Sequence, residues 1–185
     1  MASKQVLREV YLAKRLTLTN KEYDLRNNLV VGAASVLIDK IKPETVHIFV
    51  PIKSKREIDL TGLVEKYAAK KFAVPKTEKN GELKHFIFNS ETKMLQNKWG
   101  IMEPHNGQEV DPTQVDLVFV PLIIADKLGH RIGYGKGYYD RFLAQTSAIK
   151  IGVSLQPLLD KIDYMQITDV KLDGVITPYE QMKGF

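Results

Sequence analysis

The chain of 185 residues contains no cysteine, which excludes disulfides and thiolate metal sites. This composition is what we expect of a protein in the reducing cytoplasm. No apolar run approaches the roughly 20 residues that cross a bilayer, and the longest one, residues 117–125, predicts a buried strand. The first residues, MASKQVLREVYLAKR, are charged throughout and lack the apolar core of a secretory signal. We therefore expect no membrane association.

Internal repeats, low-complexity segments and linkers are also lacking, so the sequence predicts one domain over residues 1–185. The four histidines show no HExxH or other metal-binding spacing, and His47, which alternates with apolar residues, is expected to be structural. The hydrophobic fraction of 44% and the charged fraction of 26% are typical of a globular protein. The net charge of +5 favours an anionic ligand, which leaves nucleotides, polyanionic metabolites and nucleic acid open.

Helical and strand patterns alternate along the chain. Ser3 is a candidate cap for a helix through about Leu16, and Thr19 with Glu22 forms a capping-box pattern. The second helix has apolar residues at helical spacing: Leu25, Leu29, Ala33, Val36 and Leu37. Further helices are predicted over residues 57–71 and 138–145. Strands are predicted over residues 45–50, 72–74 (stopped by Pro75), 83–88, 116–124, 149–153 and 174–176, with room for hairpins in residues 76–107. This alternation predicts an α/β fold with a largely parallel sheet.

A glycine-rich segment, GHRIGYGKGYYDR at residues 129–141, directly follows the strongest strand pattern. Glycines at 133, 135 and 137 alternate with Tyr134, Lys136 and Tyr138. In an extended backbone, this alternation would leave one face as bare main chain, whose N–H groups can approach an anion closely. The start of the following helix also favours phosphate. The segment therefore predicts a phosphate-binding loop.

The charged residues of this segment suit the same ligand. Arg131 can make paired hydrogen bonds to phosphate oxygens, and Lys136 supplies a compact positive charge. Asp140 is placed to hold a magnesium ion that bridges phosphates, and Asp126 is a rival metal ligand. The pattern is neither a Walker A loop nor G-x-G-x-x-G. A glycine turn without a ligand is the alternative, which the neighbouring charged and aromatic residues disfavour.

Together with other motifs, this segment resembles the 5-formyltetrahydrofolate cyclo-ligase (5,10-methenyltetrahydrofolate synthetase) family. The resemblance rests on DLVFVP followed by GHRIGYGKGYYDR, on KQVLR at residues 4–8, on WGIMEP at 99–104 and on KLDGV at 171–175. The order of the motifs and the chain length also match, so nearly the whole chain is covered. The resemblance implies a single three-layer α/β/α domain with a mostly parallel central sheet.

The resemblance also implies a reaction. ATP, with magnesium, would phosphorylate the formyl oxygen of 5-formyltetrahydrofolate, N10 would attack the activated carbon, and phosphate would leave. The products would be 5,10-methenyltetrahydrofolate, ADP and phosphate. We expect a cytoplasmic monomer whose partners are ATP and the folate, possibly polyglutamylated in the cell, with no nucleic-acid or membrane partner.

Site residues are implied position by position. Arg131 and Lys136 would be catalytic, and Asp140 and Asp173 would bind magnesium. The implied ATP-binding residues are Lys4, Arg8, Arg131, Ile132, Gly133, Tyr134, Gly135, Lys136, Gly137, Tyr138 and Tyr139. The implied folate-binding residues are Ile52, Glu57, Trp99, Tyr134, Gly135, Lys136, Gly137 and Tyr138.

Each assignment outside the glycine-rich segment has a structural alternative. Lys4 and Arg8 could form a solvated helix face, Glu57 a helix-end charge and Asp173 a turn cap, while Trp99 could be a core residue. The basic residues 53–56 and the Lys70–Lys71 pair could attract a polyglutamate tail or simply solvate the surface.

Two other functions stay open from the residues alone. One is a sugar-phosphate isomerase that needs a Glu or Asp base and no ATP. The other is a non-enzymatic RNA-binding module, although no RNP1 pattern, KH loop or zinc knuckle is present.

Overall fold

A computed structural model describes residues 3–97, 100–163 and 166–180. Its α-helices are α1 (Lys4–Leu16), α2 (Asn20–Ile41), α3 (Gly62–Lys66) and α4 (Tyr138–Leu143). Its strands are β1 (Thr45–His47), β2 (Lys71–Thr77), β3 (Leu83–Ile87), β4 (Met94–Gln96), β5 (Met102–Pro104), β6 (Leu117–Pro121), β7 (Ile124–Ala125), β8 (Arg131–Ile132), β9 (Ile149–Val153) and β10 (Gly174–Ile176). Among the described helices, none is long and apolar enough to cross a membrane.

The central sheet has six strands in the order β10-β9-β6-β1-β2-β3. All neighbouring pairs are parallel except β2 and β3, which run antiparallel. One sheet face packs against α2 and α3 through a core that includes Ile38, Leu63 and Phe119. The other face packs against α4 through Phe142 and Leu143. The expected α/β fold with a mostly parallel sheet is therefore confirmed.

Both predicted helix starts are present. The Ser3 hydroxyl accepts a hydrogen bond from the N–H of Val6 at 3.3 Å. Thr19 and Glu22 form the reciprocal capping box, with each side chain accepting from the other residue's backbone N–H. These caps depend on residues three positions apart, so the sequence alone reveals them.

The buried face of α2 differs from the predicted one. Val30, Ala34 and Ile38 are completely buried, whereas at least half of the surface of Leu25, Leu29 and Val36 is exposed. Apolar residues follow helical spacing on two faces of this helix, and periodicity cannot say which face meets the sheet.

Four predicted element boundaries were wrong. The strand at residues 45–50 ends at His47, and the helix predicted over 57–71 covers only Gly62–Lys66. Residues 57–60 instead run as irregular chain that buries Ile58 and Leu60 in the core. Pro75 does not stop β2, because β1 pairs only with residues 71–73 and needs no N–H from position 75. The apolar run 116–124 is divided between β6 and β7, and residues 76–107 contain the β4–β5 hairpin.

A histidine pair is buried between the sheet and α4, which confirms a structural position for His47. His47 Nε2 lies 3.0 Å from His85 Nδ1, and the Phe142 ring packs against both imidazoles. Burial lowers the pKa of His47 well below its ordinary value, and it lowers the pKa of His85 to about 4. Both rings are therefore neutral in the folded protein near neutral pH.

This pair predicts a loss of stability in mild acid. As the pH falls below 6.5, the ordinary value for histidine, the unfolded chain binds protons that the folded chain rejects until about pH 4. The free energy of unfolding should thus be highest above that window and fall across it, as measured by urea unfolding. His85→Leu should flatten the decline, and replacement of the exposed His105 by glutamine should leave it unchanged. A wild-type unfolding free energy that is constant across the window would contradict this.

Candidate active site

A cavity of about 1260 Å³ opens at the carboxyl ends of β1 and β6. Its walls come from α1, the loop after β1, strands β2 and β5, the glycine-rich segment and residues 166–170. In parallel sheets, ligands bind at this edge because the loops that follow neighbouring strands converge there. The cavity exceeds the roughly 300–1,000 Å³ of a typical single-ligand site, so it has room for two substrates.

The glycine-rich segment turns sharply instead of running extended. Gly135 and Gly137 have φ angles of +83° and +68°, a left-handed backbone that side-chain-bearing residues rarely adopt. A Cβ atom at Gly135 would also lie 2.8 Å from a terminal nitrogen of Arg8. The predicted two-faced alternation is therefore wrong. These two glycines are needed for backbone conformation and for the close approach of α1.

One face of helix α1 lies along the glycine-rich segment. Lys4 forms an ion pair with Asp169, and the Arg8 Nε donates to the carbonyl of Gly133 at 2.8 Å. Both residues line the cavity, so the solvated-face alternative for them does not hold. The ion pair joins α1 to residues 166–170, which also line the cavity.

Arg131 is buried and already has protein partners. It donates to the Asp140 carboxylate at 2.6 Å and to the carbonyl of Val170. The same Asp140 oxygen accepts from the N–H of Val170 at 3.3 Å. Arg131 and Asp140 therefore line the cavity as a pair that joins β8, α4 and residues 166–170.

Glu57 also lines the cavity and is 5% exposed. Its carboxylate accepts from the N–H of Ile52 at 2.8 Å and from the hydroxyl of Tyr134 at 2.7 Å. Burial raises the pKa of Glu57, while these two hydrogen bonds and the charge of Arg15 oppose that rise. Burial also raises the pKa of Tyr134, and the Glu57 charge is the second cause of that rise. The Tyr134 hydroxyl therefore keeps its proton and can donate a hydrogen bond near neutral pH.

The structure brings most of the expected residues to this one cavity. Its lining includes Lys4, Arg8, Ile52, Glu57, Arg131, Ile132, Gly133, Tyr134, Gly135, Lys136, Gly137, Tyr138, Tyr139 and Asp140. Ile52 lies in the loop that precedes Glu57 and lines the cavity with it. Trp99 lies outside the described residues.

Asp173 is not part of the cavity lining. It precedes β10 at the amino end of the sheet, and its carboxylate accepts from the N–H of Lys150 at 2.8 Å. The structure therefore does not bring Asp173, an expected magnesium ligand, to the cavity that Asp140 lines. Asp126 is fully buried and accepts from backbone N–H groups and from His130, which makes it a structural turn residue. Within the described ranges, no three His, Asp or Glu residues are grouped to hold a metal by themselves.

Sequence reasoning missed three residues at or beside the cavity. Arg15 is buried below Tyr134, Asp169 pairs with Lys4, and Glu103 accepts from the N–H and hydroxyl of Thr77. Only Arg15 has a usable signal, because it follows Lys4 and Arg8 at spacings that place all three on one helix face.

Comparison with known proteins matches this architecture. The model of the 5-formyltetrahydrofolate cyclo-ligase family matches residues 1–178. A 5-formyltetrahydrofolate cyclo-ligase of Mycoplasma genitalium is 49% identical over 77 residues, which is 38% of this chain and 44% of that protein. A probable 5-formyltetrahydrofolate cyclo-ligase of Schizosaccharomyces pombe is 33% identical over 115 residues, which is 53% of this chain and 56% of that protein. The chain thus spans about half the length of these curated relatives.

Solved structures give a longer match. The NMR structure of Aquifex aeolicus 5,10-methenyltetrahydrofolate synthetase superposes with a TM-score of 0.77 at 30% identity, over 97% of this chain and 93% of that one. A 5,10-methenyltetrahydrofolate synthetase from Mycoplasma pneumoniae has a TM-score of 0.72 at 24% identity, over 96% of this chain and 99% of that one, and shows the shared fold. With the family model matching almost the whole chain, the protein belongs to the 5-formyltetrahydrofolate cyclo-ligase family.

Proposed function

We propose that the protein converts 5-formyltetrahydrofolate and ATP to 5,10-methenyltetrahydrofolate, ADP and phosphate. The observation that carries this proposal is one cavity lined by two unlike sets of groups. One set is the glycine-rich loop with Arg8 and Lys136, and the other is the buried acceptor Glu57. A triphosphate suits the first set and the N–H groups of a pterin suit the second.

The chemistry needs positioning and charge more than a protein nucleophile. The formyl oxygen attacks the γ-phosphorus of ATP, a new O–P bond forms, and the bond from the γ-phosphorus to the ADP oxygen breaks. N10 then attacks the formyl carbon, loses its proton, and phosphate departs with the former formyl oxygen. Lys136 and loop N–H groups would stabilise the charge that develops on the transferring phosphoryl group. Holding N10 near the activated carbon supplies the remaining acceleration.

Magnesium fits this arrangement through Asp140. Magnesium in nucleotide sites is bound by one or two carboxylates, with substrate phosphates and water completing its shell. Asp140 meets that need because it lines the cavity beside the glycine-rich segment. The ion would neutralise charge on the phosphates when bound.

Asp140→Asn should raise the magnesium concentration needed for half-maximal activity. The amide keeps an oxygen that can accept from Arg131 but loses the charge that holds the cation. A magnesium titration of kcat measures the effect, with Asp173→Asn as the matched control because that carboxylate lies outside the cavity. An unchanged titration for Asp140→Asn would move the magnesium ligand elsewhere.

A polyglutamate tail would pass the basic loop at residues 53–56. Lys55 lines the cavity there, whereas Lys70 and Lys71 do not, and Lys70 donates to the carbonyl of Pro43. The KM for a polyglutamylated substrate should therefore rise with ionic strength far more than the KM for the monoglutamate. Lys55→Ser should remove this difference and Lys70→Ser should keep it. Equal salt responses of the two wild-type KM values would refute tail binding.

The proposed activity has a direct optical test. Purified protein with magnesium and 5-formyltetrahydrofolate should give a rise in methenyl-folate absorbance only when ATP is added. An absorbance that stays flat with folded protein would mean that the cavity serves another anionic substrate.

We also propose that the protein is a cytoplasmic monomer without a nucleic-acid partner. Sedimentation of the pure protein tests the monomeric state.

A further inference from the structure

Arg15 is a charged residue that the proposed chemistry does not use. It lies on α1, is 4% exposed, and is absent from the cavity lining. Its guanidinium donates to the carbonyl of Leu122 at 3.1 Å and to the hydroxyl of Tyr134 at 2.5 Å. It thereby connects the carboxyl-terminal end of α1 to a residue that does line the cavity.

These contacts give the hydroxyl of Tyr134 a fixed direction. A guanidinium has only donors, so the Tyr134 oxygen must accept from Arg15. The single hydroxyl hydrogen is then directed to Glu57, 2.7 Å away. The second Glu57 oxygen accepts from the N–H of Ile52. Both oxygens therefore serve as acceptors, as in an ionised carboxylate.

We infer that Arg15 is a positioning residue for the folate side of the cavity: it orients Tyr134 and holds Glu57 as a charged acceptor. The inference rests on the proposed cyclo-ligase function, in which Glu57 accepts N–H groups of the pterin. Arg15 itself touches no substrate and acts through Tyr134.

The charges around Glu57 agree with this role. Burial raises the pKa of Glu57, and the Arg15 charge acts against that rise from the interior. Tyr23 donates to the Glu57 carbonyl, and Tyr139 is buried nearby. Burial raises the pKa of both tyrosines, so neither contributes a charge near neutral pH. Lys55 lines the same cavity and is half-buried, so water reaches its charge and screens it.

Arg15→Met keeps the side-chain length and removes the charge and the donors. The acid limb of kcat/KM for 5-formyltetrahydrofolate should move to higher pH, because a buried carboxylate without its cation is protonated more easily. The folate KM should rise at neutral pH and recover at alkaline pH, while the ATP KM stays near the wild-type value. Lys14→Met, which removes an exposed neighbouring charge, should leave the profile unchanged.

Arg15→Lys separates charge from geometry. A single ammonium cannot donate to Leu122 and Tyr134 in the way the guanidinium fork does, so we expect a raised folate KM with an acid limb closer to wild type. If Arg15→Met does not fold, Arg15→Lys decides, and a wild-type folate KM and profile would overturn the inference. An unshifted acid limb in folded Arg15→Met would also overturn it. These comparisons require that the wild-type protein be active. An inactive wild-type protein would overturn the proposed function, and the inference with it.

Discussion

Replacing Lys136 by alanine should lower kcat by roughly 10²–10³-fold, the usual cost of losing one group that stabilises transition-state charge. The Lys136 side chain lines the cavity and is exposed, so its removal should not disturb the core. Because charge on the phosphoryl group grows toward the transition state, kcat should fall more than ATP affinity does. Steady-state kinetics with varied ATP measures both.

The control for Lys136 is another exposed lysine. Lys127 pairs with Asp160 and is not part of the cavity lining, so Lys127→Ala should keep the wild-type kcat. Lys136→Arg should recover part of the activity because it restores the charge on a bulkier group. A near-normal kcat in folded Lys136→Ala would exclude this side chain from phosphoryl transfer.

Arg131→Ala should lower both turnover and stability. We expect kcat to fall roughly 10²–10³-fold, because the substitution removes a charge from the cavity and releases the loop that Arg131 holds. Asp140 and the Val170 carbonyl would also lose their partner. Breaking a fully buried ion pair typically costs about 3–5 kcal/mol of unfolding free energy. The loss should be smaller here, because the Asp140 side chain is 27% exposed. Urea unfolding and steady-state kinetics measure the two effects separately.

A double-mutant cycle separates the pair from its members. Arg131 and Asp140 are in direct contact, so the stability losses of Arg131→Ala and Asp140→Asn should not add in the double variant. The double variant should lose less than the sum, because the first substitution already removes the shared interaction. Additive losses would mean that the ion pair contributes nothing to the folded state.

The sequence by itself determined the features that depend on near neighbours. Thr19 and Glu22 of the capping box are three positions apart, and strand β9 was predicted with its observed ends because Ile149, Ile151 and Val153 recur at strand spacing. The glycine-rich run at residues 129–141 marked a loop that lines the cavity, since glycine spacing and adjacent charges are local properties. Spacing also indicated that Lys4 and Arg8 share one helix face.

Tertiary structure decided which side chains meet. Lys4 and Asp169 are 165 positions apart, Arg15 and Tyr134 are 119 apart, and Tyr134 and Glu57 are 77 apart. No local pattern encodes such pairs, because they form only where packing brings α1 and the loops after β1, β8 and β9 to one edge of the sheet. The same packing chose the buried face of α2 and kept Asp173 at the opposite edge. The charged residues that the sequence offered as free ligands are thus held by partners, which only the folded chain supplies.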